Sequence, residues 1–308
     1  MSLIMLFFTF MIILSPIICL SSSSWLIYWS GMELGFISMF PIMFNHNSLM
    51  ITESAMKYFL VQSVASILMF FFGSFYFMLF MVNFSSLSLF MATLLIKLGM
   101  FPFHFWVLPV ISGIWYEQMM FLLIPLKIPT LGLINYIFCQ HDMQFFMLFT
   151  SFMTMIVGSI LGINCSNVRS LLAASSITHS GWILVSSLVG NMWSYFSVYS
   201  FILLITLLSI LNMDSIMSSL MVLSMSGLPP FLLFSVKFLV LMMMIKSNYS
   251  FFMILIPILS AVFSLNFYLK MSYSFLLNGK KVLKPKFLMS MIIMNLMGGV
   301  SLLYLLFF

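Results

Sequence analysis

Six ionisable side chains set inside the long apolar spans of this sequence stand out as able to hold or move a proton. Lys97 stands in "LLIKLGMFPFHFW", Lys127 in "LLIPLKIPTLG", Lys237 in "FLLFSVKFLV" and Glu33 in "WSGMELGF". His104 closes the first of these strings, and His179 sits in "SSITHSGW". A carboxylate beside an ammonium keeps both groups charged. Pulled apart in a dry interior, both favour their neutral forms, so changing their separation moves a proton. Histidine suits the links between such groups because its proton affinity lies near neutrality. Charges at mid-membrane depth are expensive: about 2.5–3.5 kcal/mol for each lysine, or about 8–10 kcal/mol for the three. That approaches the whole stability of an ordinary domain, which argues that the lysines are used.

Other readings of these residues stay open at this level. Lys127 and Lys237 could snorkel to an interface, and Glu33 could be a purely structural partner for a lysine. His104 and His179 fit a relay and a hydrogen-bonded helix-packing role equally well.

The elements that must position these groups follow from composition. Of 308 residues, 64% are hydrophobic and only 5% charged, with a mean hydropathy of +1.24. Soluble domains carry about 25% charged residues, so this chain cannot cover a water-facing surface and reads as a polytopic membrane protein. No polar segment is long enough for a soluble domain, so a nucleotide or iron–sulfur site would have to lie on another subunit. The first apolar run lacks a basic segment before it and is expected to be a retained helix. Cys19, Cys139 and Cys165 are far apart and lack metal-ligand spacing. The 33 methionines read as flexible packing and lipid-facing filler.

At about 20 apolar residues per crossing, the chain divides into about eleven spans, roughly 3–20, 25–44, 57–81, 86–109, 115–138, 144–163, 169–190, 194–213, 216–245, 250–276 and 287–306. Only helices and closed barrels satisfy their backbone in lipid, and these spans are too long for barrel strands. An all-α bundle is predicted. The ninth span would be roughly 45 Å of unbroken helix, yet it contains "SGLPPF". "GMFPF" (Gly99 to Phe103) and "GLPPF" (Gly227 to Phe231) share Gly-x-x-Pro-Phe. They lie five spans apart, so one copy crosses opposite to the other, the mark of an inverted repeat with one broken helix per half. The predicted organisation is residues 1–138, an inverted copy in 139–276, and a basic loop with a final helix in 277–308.

Within this layout Lys97 is roughly 16 Å and Glu33 roughly 12 Å along their spans. Lys280, Lys281, Lys284 and Lys286 share a side with the N-terminus, as do Lys57 and Arg169, with Lys270 near it. Only Lys246 falls in an opposite loop. The bias of basic loops puts the N-terminus on the cytoplasm-equivalent side, and it accounts for most of the net charge of +6. There is no basic stripe for nucleic acid. Arg169 with Asn164, Ser166 and Asn167 reads as a helix start and topology anchor. Glu117, Asp142, Asp214, His46 and His141 receive no role. Ser175, Ser176 and Thr178 can bond across helices, so a nucleophilic role is set aside.

The strings "IKLGMFPFHFWVLPV", "LKIPTLGLI", "NCSNVRSLLAASSITHSGW" and "SGLPPFLLFSVKF" occur in this order between Trp25 and Lys237. They resemble the chain 2 family of NADH:ubiquinone oxidoreductase, the mitochondrially encoded, antiporter-like membrane-arm subunits of respiratory complex I. The resemblance implies a subunit of an H+-translocating NADH:ubiquinone reductase that carries no redox centre itself. Glu33, Lys97, Lys127 and Lys237 match the family's proton-translocating carboxylate and lysines, and His104 and His179 match its motif histidines. NADH, FMN, iron–sulfur clusters and ubiquinone are expected on other subunits. The implied partners are other membrane-arm and accessory subunits and lipids, cardiolipin among them. The implied location is the mitochondrial inner membrane, N-terminus on the matrix side. Three positions depart from the family pattern: "VLPV" after "FHFW" lacks a glutamate, Pro125 and Leu126 replace a Trp-Gln pair before Lys127, and Ser226 replaces a glycine.

The expected mechanism is a lateral, hydrated chain of Glu33, Lys97, Lys127 and Lys237, driven by changes in the Glu33–Lys97 separation. An independent cation/proton exchanger and a structural spacer without an ion path are the alternatives.

Overall fold

The computed structural model of the chain describes residues 3–44, 48–77, 84–138, 143–212 and 214–278, and all regular structure within them is helical. The expected eleventh span, Lys280, Lys281, Lys284 and Lys286 before it, and His46, Cys139, His141 and Asp142 lie outside the described residues. Eight described stretches are helical, long and apolar enough to cross a membrane. The described residues divide into two units, Met1–Phe146 and Met147–Phe308.

The first unit holds α1 (Leu3–Ser21), α2 (Trp25–Met43), α3 (Leu49–Phe77), α4 (Phe84–Leu98), α5 (Val107–Gly113), α6 (Tyr116–Leu123) and α7 (Lys127–Phe138). The strongest pairings are α1 on α2 and α3 on α4. α3 starts eight residues before the predicted 57. Ser48 accepts the Ile51 N–H and Glu53 pairs with Lys57 one turn on, so a local cap and an i,i+4 ion pair extend the helix beyond its apolar run.

The predicted fourth span is interrupted. Between α4 and α5 lie residues 99–103 and a 3-10 turn, His104–Trp106. The predicted fifth span, expected as one helix, is also interrupted, between Leu123 and Lys127. Pro125 cannot continue α6, since it lacks an N–H and its ring crowds the preceding turn. Pro129 then falls in the first turn of α7, where helical N–H groups have no intrahelical acceptor anyway.

The second unit holds α8 (Gln144–Asn164), α9 (Val168–Leu188), α10 (Met192–Leu211), α11 (Ser215–Ser226), α12 (Leu232–Lys246) and α13 (Phe251–Asn278). The break predicted at Gly227–Phe231 separates α11 from α12. α9 is the hub: 94% of its span window is buried, against 28% for α13. Its Ala, Ser and Gly residues let neighbours approach closely. Its buried hydroxyls do not demand outside partners, because Ser175, Ser176, Thr178, Ser180, Ser186 and Ser187 each donate to the carbonyl three residues back.

Candidate functional site

In the first unit the site forms where α4 stops. The helix ends in a tight double turn: Gly99 N–H donates to Ile96 O and Met100 N–H to Leu95 O. This closure needs a left-handed residue, and Gly99 has φ +69°. A Cβ there would run into the Val107 side chain. Carbonyls at the helix end, which lipid cannot solvate, also receive side-chain donors. Ile96 O accepts a second bond, from the Trp106 indole at 3.0 Å, and Lys97 O accepts from the Gln62 amide at 3.2 Å.

Lys97 occupies the last turn of α4, the end of a helix dipole that favours a cation. Its ammonium lies 3.5 Å from Glu33 Oε1, with side-chain exposures of 5% and 16%. The carboxylate comes from α2, 64 positions away in the chain. The distance is longer than the ~2.8 Å of a tight charge-assisted bond, so the pair is held by charge more than by a locked hydrogen bond. Tyr58 of α3 is buried against Trp106 and Phe36 beside this pair.

Lys127 is buried and is the first residue of α7. Its ammonium therefore belongs to the positive end of that dipole, the end that favours anions. His104 is buried in the 3-10 turn against the Phe105 ring, 4.2 Å between centroids. Among the described residues its Nδ1 has no hydrogen-bond partner.

The second unit uses its break differently. Gly227 takes the left-handed conformation, φ +76°, and ends α11. Lys237, on α12, turns back and donates from Nζ to Ser226 O at 2.9 Å. The ammonium thus caps a carbonyl at the negative end of α11. A Cβ on Gly227 would stand 3.1 Å from Lys237 Nζ, so a larger residue there would crowd this approach. The same ammonium lies 5.6 Å from the Trp182 ring centroid of α9, within cation–π range.

His179 is enclosed by tyrosines. Its Nδ1 is 3.0 Å from the Tyr195 hydroxyl of α10, and its Nε2 is 3.1 Å from the Tyr268 hydroxyl of α13. The Tyr199 ring packs on the imidazole at 4.7 Å. All three tyrosines are fully buried. The Trp182 ring is stacked on Tyr195.

The structure therefore joins Glu33 to Lys97, buries Lys127 and Lys237 at interrupted helices, and places His179 in a hydrogen-bonded string. The tyrosines around His179, Trp182 beneath Lys237 and the Ser226 carbonyl were not anticipated. The four-residue spacing of Tyr195 and Tyr199 puts both on one helix face, a signal that could have flagged them; nothing local flags Tyr268. Among the described residues no three His, Cys, Asp or Glu side chains cluster as metal ligands would.

Comparison with known proteins identifies the family. The family model described as "NADH:quinone oxidoreductase/Mrp antiporter, TM" matches residues 22–215. NADH-ubiquinone oxidoreductase chain 2 of Albinaria caerulea is 38% identical over 288 residues, covering 92% of this chain and 93% of the relative. The Anopheles gambiae protein of the same name is 34% identical over 329 residues, covering 96% and 92%. In fold, the chain resembles one in the respiratory complex I structure from Thermus thermophilus with bound aureothin. The TM-score is 0.80 at 17% identity, covering 99% of this chain and 78% of that one. A chain of the Mrp complex from a Dietzia species gives 0.77 at 13% identity, covering 86% and 59%. This chain belongs to the NADH-ubiquinone oxidoreductase chain 2 family, within the broader NADH:quinone oxidoreductase/Mrp antiporter group of transmembrane proteins.

Proposed function

We propose that the chain is a proton-translocating subunit of NADH:ubiquinone oxidoreductase in the mitochondrial inner membrane, working in a complex with other membrane-arm and accessory subunits. The relatives' names support the enzyme assignment. The observation that carries the proton-path reading is the Glu33–Lys97 pair, two opposite, largely buried charges 3.5 Å apart beside an interrupted helix. Ordinary helix packing needs no such pair, and burying one is costly.

In this reading Glu33, Lys97 and Lys127 serve the first unit and Lys237 the second, with waters carrying protons between groups. When the Glu33–Lys97 distance shortens, both charges are stabilised and a proton is held. When it lengthens, the ammonium loses its counter-charge and passes a proton on. The interrupted helices suit this task, because a break concentrates movement at a few residues and leaves dipole ends facing the charges. NADH, FMN, iron–sulfur and ubiquinone chemistry is assigned to other subunits. The N-terminus is assigned to the matrix side from the basic residues, and membrane lipids such as cardiolipin to the apolar exterior.

The direct test is Lys97→Met in the assembled complex. Methionine keeps much of the side-chain volume and removes the charge. Proton translocation and coupled ubiquinone reduction are expected to fall together while assembly is retained. An unchanged number of protons moved per NADH would refute the assignment.

A further inference from the structure

The two units hold their buried lysines by different chemistry. In the first, Lys97 has a carboxylate, Glu33, 3.5 Å away. In the second, Lys237 is buried, and among the described residues no acidic side chain lies in ion-pair range of it. An ammonium without a counter-charge is costly in a dry interior. Two neutral groups take up its charge instead. The Ser226 carbonyl, at the negative end of α11, accepts from Nζ at 2.9 Å. The Trp182 ring on α9 lies beneath the same ammonium, 5.6 Å from Nζ to the centroid. Indole has the strongest ring attraction for a cation, and that attraction grows when both partners are out of water; Trp182 is 2% exposed.

The ring is itself fixed. At the preceding residue, Gly181, α9 packs so closely on α8 that a Cβ would meet Thr154 Oγ1 and Ser151 O. The Trp182 plane runs 4° from that of Tyr195, with centroids 6.2 Å apart, and the Tyr195 hydroxyl is tied to His179 Nδ1 at 3.0 Å. We propose that Trp182 is a positioning residue for Lys237: its indole face takes in the second unit the place that a carboxylate takes in the first, and holds the ammonium at the broken helix. This rests on reading Lys237 as part of the proton path. A carboxylate can accept a proton and lose its charge, whereas an indole has only a donor to offer. The hold on Lys237 is therefore constant, and releasing it means moving the ammonium off the ring. The carbonyl uses one of the three ammonium N–H donors, and the ring holds the charge without a directed acceptor, which leaves donors for water.

Trp182→Phe, Trp182→Leu, Lys237→Met and the double variant Trp182→Leu, Lys237→Met are compared in membranes holding the assembled complex. Assembly is read on native gels, and proton uptake is read per NADH oxidised. Trp182→Leu is expected to lower coupled proton movement about 10-fold, and Trp182→Phe, which keeps an aromatic face, to stay within about 3-fold of the parent. The double variant is expected to match Lys237→Met, because the ring position then has no ammonium to hold. A ring that only filled space would give equal losses in the Phe and Leu variants, and a double variant worse than Lys237→Met by the full Trp182→Leu factor; either result overturns the proposal. So does parent-level pumping in Trp182→Leu alongside loss in Lys237→Met, in which case the proton-path reading stands. If Trp182→Leu fails to assemble, assembly restored in the double variant supports the proposal, and failure in both overturns it. Normal pumping in Lys237→Met removes the reading and the proposal together.

Discussion

At the scale of single residues, the decisive feature is a charge pair joined across the first unit. Glu33 and Lys97 are each costly in a dry interior, and each offsets the other's cost. Removing one partner is therefore worse than removing both, because the survivor keeps its desolvation penalty. Glu33→Gln is expected to destabilise the subunit by about 3–5 kcal/mol, seen as a lower melting transition of the complex. The double variant Glu33→Gln, Lys97→Met is expected to recover much of that loss without recovering proton translocation. If the double variant melted below Glu33→Gln alone, the two groups would not be acting as a pair. The charges themselves could be read from the residues, since an ionisable side chain in an apolar run stands out. Their pairing was expected from the family resemblance and not from any local pattern, because it joins helices α2 and α4.

At the scale of elements, three spans are interrupted rather than two among the described residues. The Gly-x-x-Pro-Phe strings announce the breaks after α4 and α11. The break between α6 and α7 is written in Pro125 and Pro129, but it was expected as a bracketed lysine within one helix. Both glycine breaks use the left-handed region, yet they serve different ends. At Gly99 the turn closes α4 beside the Glu33–Lys97 pair, whereas Gly227 makes room for Lys237 to reach the Ser226 carbonyl. Gly227→Ala is therefore expected to carry two costs: about 1–2 kcal/mol for a left-handed alanine, and displacement of Lys237 from its carbonyl. Gly190, with φ +81° and open space where a Cβ would go, isolates the first. Gly190→Ala should lower the melting transition but leave coupled turnover at the parent level, while Gly227→Ala should lower both. Equal turnover in the two variants would show that the Lys237–Ser226 contact has no functional weight.

At the scale of the whole molecule, each of two units carries an interrupted helix with a buried lysine beside it. We read this as a duplicated five-span design, residues 1–138 and 139–276. Relatives named as oxidoreductase subunits point to work done within a larger assembly. Purified alone and placed in vesicles, the chain is expected to exchange neither protons nor other cations, whereas the assembled complex should acidify one compartment when NADH is oxidised. Robust exchange by the isolated chain would favour the independent exchanger. Preserved coupling after all three buried lysines are replaced would favour the structural spacer.

Much of this protein can be read without coordinates. The shortage of charge dictates a lipid environment, lipid dictates helices, and Gly and Pro mark where those helices stop. An ionisable group in such a setting is conspicuous wherever it falls. Each of these inferences rests on local chemistry, which a linear chain displays in full. The partners of those groups are another matter. Glu33 meets Lys97, Lys237 folds back on Ser226, and Tyr195 and Tyr268 grip His179 because of which faces neighbouring helices turn toward one another. In a water-soluble protein an amphipathic stripe would advertise those faces. Here both lipid and core are apolar, the stripe vanishes, and close packing in three dimensions selects the contacts.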